Sequence, residues 1–244
     1  MTVLALAGLR IELHGAEPPW LLPFRRSGRG ELQLRLAVRD APAPAELGGP
    51  LVAASMGAVR GDGLRGFIGA RCAELEVFGG ALLPALRLVV AAWGAPRGIV
   101  LLHGACVVHR GAAHAWLGPS GAGKTTLSRL ALAHLPGAAI VSDEVAAVGS
   151  GRAFAHPFHG AIEGARLADE GVPLASIAFL EHGLVTRAAP VARPGREIVR
   201  RVFAPLRDAA ALRATLRAVD ALASIPARRL SFAPDASAPL LAVA

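Results

Sequence analysis

Residues 118–125 read GPSGAGKT and satisfy G-x-x-x-x-G-K-[ST], a pattern whose chemistry is phosphate binding. Lys124 is the only lysine among the 26 Lys and Arg residues of the chain, and the others are all arginine. Gly118, Gly121 and Gly123 permit a tight turn in which successive backbone N–H groups aim at phosphate oxygens, helped by the helix that follows. Pro119, Ser120, Ala122 and Thr126 complete the nucleotide cradle. Lys124 would then serve as a compact charge for the β- and γ-phosphates of a nucleotide, a place where the broader guanidinium is no equivalent. Thr125 offers its hydroxyl to Mg²⁺.

Two carboxylates, Asp143 and Glu144, follow the apolar run AAIV a short way downstream. If a strand continued through them they would point to opposite faces, whereas at a strand end both reach one site. One can then hold metal while the other accepts a proton from an incoming hydroxyl. His103 closes the apolar segment IVLLHG ahead of the glycine loop. Absences narrow the class. A guanine-reading Asn/Thr-Lys-x-Asp motif needs a second lysine, and the chain has none. No LSGGQ-like signature of the transporter ATPases is present either.

The series LLHGACVVHRG, GPSGAGKTT and IVSDE, in that order and spacing, resembles the catalytic domain of HPr kinase/phosphorylase and its stand-alone relatives. The resemblance covers residues 99–160 best and extends loosely to HPFHG and PLASIAFLEHG. It implies an α/β nucleotide-binding domain akin to phosphoenolpyruvate carboxykinase, and an ATP- and Mg²⁺-dependent kinase acting on a seryl hydroxyl of a small protein or peptide. It further implies Asp143 as general base, His103 as an active-site residue near the phosphates, and Lys124 on ATP. Thr125, Asp143 and Glu144 are the implied metal ligands, with Glu144 standing where the family usually has a second aspartate. A homo-oligomer is a further implication. The alternatives are a nucleotide-binding regulator without phosphotransfer, or a small-molecule kinase.

The elements that must position these groups show in the patterning. A strand is expected over 113–117 after a turn at Arg110-Gly111, and a helix over 124–135, stopped by Pro136-Gly137. IVLLHGACVVH reads as two short strands around His103-Gly104, and 138–148 as a single buried strand. Strands at 175–181 and 227–235 and helices over 196–206 and 207–222 follow. Upstream, 9–15, 31–40 and 71–80 alternate like half-buried strands, and 81–94 has helical spacing. The expected organisation is a small, mainly β accessory module with a linking helix over 1–95 and a nucleotide-binding catalytic domain over 96–244.

HPFHG (156–160) reads as a turn lining the substrate cleft, with a metal site as the alternative; Glu163 and Arg166 stand close enough in sequence to contact metal or phosphate. The arginines of 187–229 read as a solvated face. A net charge of +8 admits nucleic-acid binding, but arginine use driven by codon bias explains it better, and no basic run is interleaved with aromatics. Cys72 and Cys106 form no metal or disulfide pattern and are expected as buried thiols. The N-terminus lacks the features of a signal peptide and no run is long enough to span a bilayer, so no membrane association is expected and the cytoplasm is the default compartment.

Overall fold

Alternating apolar and polar residues make the first third of the chain a sheet. The computed structural model describes residues 1–15, 17–49, 52–53, 57–165, 167–204 and 209–244. The chain is mixed α/β and divides into two compact units. The first comprises Met1–Gly98 with 204 and 209–215, and the second comprises Ile99–Phe203 with Leu216–Ala244.

The first unit holds β1 (Thr2–Leu6), β2 (Leu9–Gly15), β3 (Arg25–Arg26), β4 (Leu32–Arg39), β5 (Val52–Ala53), β6 (Gly57–Gly61), β7 (Leu64–Ile68) and β8 (Cys72–Phe78). They form one mixed sheet in the order β3-β1-β2-β4-β8-β7-β6-β5. Along β4, Leu32, Leu34 and Leu36 are buried while Gln33, Arg35 and Ala37 are exposed, the period of two that buries one face. Helix α1 (Leu82–Gly94) packs on this sheet with Leu86, Val89 and Trp93 fully buried, and the Trp93 indole donates to Gly69 O at 2.8 Å. Pro84 falls in its first turn, where the missing N–H costs nothing. The patterning revealed β2, β4 and β8; β1, β6 and β7 were not anticipated. Cys72 is exposed, against the expectation of a buried thiol, because it starts β8 on the solvent face. Cys106 is buried, which pushes its thiol up to about 12.

The second unit contains β9 (Ile99–His109), β10 (Ala112–Leu117), α2 (Lys124–His134), β11 (Ala139–Ser142), β12 (Val145–Gly149), β13 (Arg152–Phe154), β14 (Val172–His182), β15 (Arg187–Pro190), α3 (Pro194–Val199), β16 (Ala227–Phe232) and α5 (Ser237–Val243). The division between units falls within α4 (Ala209–Leu222). The strands run β10-β9-β12-β13-β14-β16-β15, and β10 also pairs with β14 in parallel, so five of them close a ring. Alternate residues of β10 serve opposite sides. Ala113, Ala115 and Leu117 enter a core with Ile177, Phe179 and Leu222, while Trp116 joins Leu127, Ala131 and Leu230 under α2 and α5.

Three expectations are corrected here. The stretch 99–109 is one strand, not two, and it runs unbroken through His103-Gly104. One edge pairs with β12 over 99–103 and with β11 over 106–108, while β10 joins the other edge from Gly104 onward. Gly104 admits β10 at close approach, since a Cβ there would lie 2.4 Å from Leu117 Cδ2 and 2.9 Å from Trp116 O. Conversely, 138–148 is two strands, β11 and β12, broken at Asp143-Glu144. Of the expected helix over 196–206 the described residues form only the short α3, residues 205 and 206 lying outside them, and α5 has no counterpart in the patterning. No helix among the described residues is long and apolar enough to cross a membrane.

Candidate active site

The glycine loop joins the end of β10 to the start of α2, so the N-terminal turn of that helix opens where the loop ends. Gly123 is held at φ +88°, and a Cβ there would meet the Phe232 ring at 2.6 Å. Only glycine fits both demands. Ser120, Gly121, Gly123, Lys124, Thr125 and Thr126 form one side of a cavity of about 360 Å³. His103, Asp143, Glu144, Gly160 and Ala161 complete its lining. The structure thus brings together the lysine, the histidine, the loop hydroxyl and both carboxylates singled out in the sequence. Of the remaining cradle residues, Gly118 and Pro119 act through their carbonyls, and Ala122 is buried beneath the loop.

Lys124 is 7% exposed and its Nζ donates to Gly118 O at 3.0 Å, Pro119 O at 2.9 Å and His103 Nε2 at 3.1 Å. Acceptance at Nε2 assigns the proton of a neutral His103 to Nδ1. Burial lowers the lysine pKa, and the nearby Arg201 charge lowers it further. Glu144 and Asp143 oppose that shift.

Asp143 is 3% exposed and heavily hydrogen-bonded. Gly160 N–H donates to Oδ1 at 2.8 Å and Ile162 N–H at 3.3 Å. Ala161 N–H donates to Oδ2 at 3.2 Å and the Thr125 hydroxyl at 2.8 Å. Burial alone would raise its pKa, but these donors outweigh it and hold the carboxyl below the usual range. The break that presents the two acids is organised by the fully buried Ser142. Its hydroxyl donates to Phe158 O at 2.9 Å and accepts from Glu144 N–H and Val145 N–H, each at 3.1 Å.

The Thr125 hydroxyl and Asp143 Oδ2 lie 2.8 Å apart. Adjacent oxygens around Mg²⁺, with bonds of about 2.0–2.1 Å, are separated by roughly 3 Å. This pair therefore fits neighbouring positions on such an ion. Among the described residues no group of three or more His, Cys, Asp or Glu could hold a metal by itself. Mg²⁺ is accommodated by that donor set, because it usually takes its remaining ligands from water and substrate phosphates.

HPFHG supplies backbone, not imidazole, to the site. His156 is buried, accepts the Phe158 N–H at Nδ1 over 3.0 Å and stacks on the Phe158 ring, while Gly160 begins the run of amides that grips Asp143. Glu163 does not line the cavity, and Arg166 lies outside the described residues.

A second cavity of about 460 Å³ shares Ser120 and Gly121 and is completed by Pro119, Ala122, Phe179, Leu180, Glu181, His182, Glu197, Arg201 and Arg229. Arg229 pairs with Glu181 at 3.2 Å and Glu197 at 3.9 Å, and His182 Nε2 contacts Gly121 O. The arginines of 187–229 are thus not all a solvated face. Arg201 arrives through a backbone bridge in which His103 N–H donates to Arg201 O at 2.7 Å and Phe203 N–H to Leu101 O at 2.8 Å. The Arg201 Nε is buried and has no hydrogen-bond partner among the described residues. Nothing in the spacing of IVRRVF distinguishes this arginine from its neighbours. No protein-family model and no curated protein matches the chain.

Proposed function

We propose that the chain is an ATP- and Mg²⁺-dependent serine kinase of the HPr-kinase-like type, built on a P-loop domain akin to that family and to phosphoenolpyruvate carboxykinase, and working in the cytoplasm on a protein or peptide. The observation that carries this reading is the convergence of the sole lysine, His103, Thr125, Asp143 and Glu144 on one cavity walled by the glycine loop.

Each group has a role that its surroundings support. Lys124 neutralises the β- and γ-phosphates, exchanging its bonds to loop carbonyls for phosphate oxygens. His103 orients the Lys124 ammonium through Nε2. Thr125 and Asp143 offer the oxygen pair for Mg²⁺, which when bound screens the phosphate charge. Arg201 adds positive charge beside Lys124. In the transfer step the seryl oxygen bonds to the γ-phosphorus, the bond from that phosphorus to the β,γ-bridging oxygen breaks, and ADP leaves. The resemblance assigns the seryl proton to Asp143. That carboxylate already accepts four hydrogen bonds and is held below the usual range, which makes it a weak base. Glu144 lines the same cavity and takes the proton in our reading. The same saturation of Asp143 favours, as the second reading, a nucleotide-binding regulator without phosphotransfer.

Incubation with γ-labelled ATP, Mg²⁺ and serine-containing peptides and proteins separates the two. The kinase reading expects acid-stable phosphoserine, lost in Glu144→Gln with ATP affinity retained. Binding of ATP with no transfer to any acceptor would support the regulator instead.

A further inference from the structure

The turn between β14 and β15 carries two large apolar residues into solvent, Leu184 at 99% and Val185 at 70% exposure. This tip is tied down on both sides. Gly183 N–H donates to Phe232 O at 3.2 Å, and a Cβ at Gly183 would lie 2.0 Å from Ser231 Oγ. The Thr186 hydroxyl donates to Asp235 Oδ2 at 2.8 Å and accepts from Ala233 N–H at 3.2 Å. An apolar pair held out by such anchoring is preorganised to bury surface against a partner.

Its position says which partner. Glu181 and His182, immediately before the tip, line the second cavity, and the His182 ring touches the Gly121 carbonyl of the glycine loop. Loop, cavity and apolar tip are therefore continuous. Within the cavity Arg229 is already paired with Glu181 and Glu197. The apolar tip beyond it adds a contact that a flanking apolar side chain would bury.

We propose that the second cavity and the Leu184–Val185 tip form the acceptor's docking surface. The occupant is an extended polypeptide segment whose serine enters along the cavity toward the glycine loop, while a neighbouring Leu, Ile, Val or Phe side chain packs on Leu184 and Val185. This rests on the kinase reading for the identity of the entering residue. A small metabolite would leave the tip uncovered.

The test uses an array of fluorescent peptides with a central serine and systematically varied flanks, titrated by anisotropy against the full chain with Mg²⁺ and a non-hydrolysable ATP analogue. Peptides with a large aliphatic or aromatic flank are expected to bind at least tenfold more tightly than those with Gly or Ser there. Leu184→Ser/Val185→Ser is expected to abolish that preference while its affinity for the ATP analogue and its melting temperature stay unchanged. Binding by wild type without flank preference, absence of peptide binding, or a preference that survives in the double variant overturns the proposal. So does a change of oligomeric state in the double variant by light scattering, which would assign the tip to a second copy of the chain. Flank-dependent binding without phosphoserine in the transfer assay would reject the kinase reading and leave the docking surface standing.

Discussion

Adding one methyl group at Gly160 tests whether backbone amides set the state of Asp143. A Cβ at Gly160 would stand 2.8 Å from Asp143 Oδ1, 3.2 Å from Glu144 Cβ and 3.3 Å from Asp143 Cγ. The first contact is too short to persist, so the 160–162 segment and the Asp143 carboxylate must move apart. The 2.8 Å bond from Gly160 N–H to Asp143 Oδ1 is then lost or lengthened. A hydrogen bond to a charged acceptor contributes about 1.5–3 kcal/mol. A loss near 2 kcal/mol corresponds to a roughly 30-fold change in an equilibrium constant. Because this separation moves the Thr125–Asp143 oxygen pair, the loss is expected in Mg²⁺-dependent nucleotide affinity. Calorimetric titration of ATP into Gly160→Ala, with Mg²⁺ and again with EDTA, separates the two contributions. The expected result is an affinity drop of that order with Mg²⁺ and little change in EDTA. Equal affinities for wild type and variant in Mg²⁺ would refute the assignment of the 160–162 amides to the metal site.

Other perturbations follow from the same geometry. Ser142→Ala removes a fully buried hydroxyl engaged in three hydrogen bonds. It is expected to cost about 2 kcal/mol in denaturant unfolding, and unchanged stability would show that the Asp143-Glu144 break holds itself. His114, buried and bonded through Nδ1 to the Ser176 hydroxyl at 2.8 Å, has its pKa pushed down to about 4 by burial, then by His109 and Arg228. A histidine depressed in the folded state leaves stability intact above the unfolded value of 6.5. Stability falls as the pH drops from 6.5 toward 4, by about 2 kcal/mol once solvent screening is discounted. In denaturant titrations across that window, His114→Asn should flatten the slope, and an unchanged slope would assign it to other groups. Lys124→Arg should weaken ATP binding at least tenfold, because three acceptors within 3.1 Å of Nζ leave no width for a guanidinium. Full affinity in that variant would show the sole lysine to be replaceable.

The local parts of the site were legible because they are written in consecutive residues. The glycine loop, the helix after it and the strand before it follow from one motif and two periodicities. The split of 138–148 was not legible, because Val145–Gly149 continues the same apolar pattern as Ala139–Ser142. Only the Ser142 hydroxyl marks the break. The continuity of β9 was hidden for the opposite reason. Gly104 looks like a strand end, yet the strand runs through it and the glycine admits β10 at close approach. The grip on Asp143 comes from main-chain N–H groups of Gly160, Ala161 and Ile162, which have no side-chain signature. Arg201 reaches the site only through a long-range bridge to β9. In the first unit, β1 and β7 become strands by pairing with neighbours more than by their own composition.

The most direct measurement is the affinity of Mg²⁺-ATP for wild type and for Lys124→Met, each checked for intact folding by circular dichroism. Removing the ammonium should weaken binding about 100-fold, the loss of one to two charge-assisted hydrogen bonds. Wild type that binds no ATP, or a Lys124→Met variant that binds it equally well, would contradict the assignment of this loop as the nucleotide site.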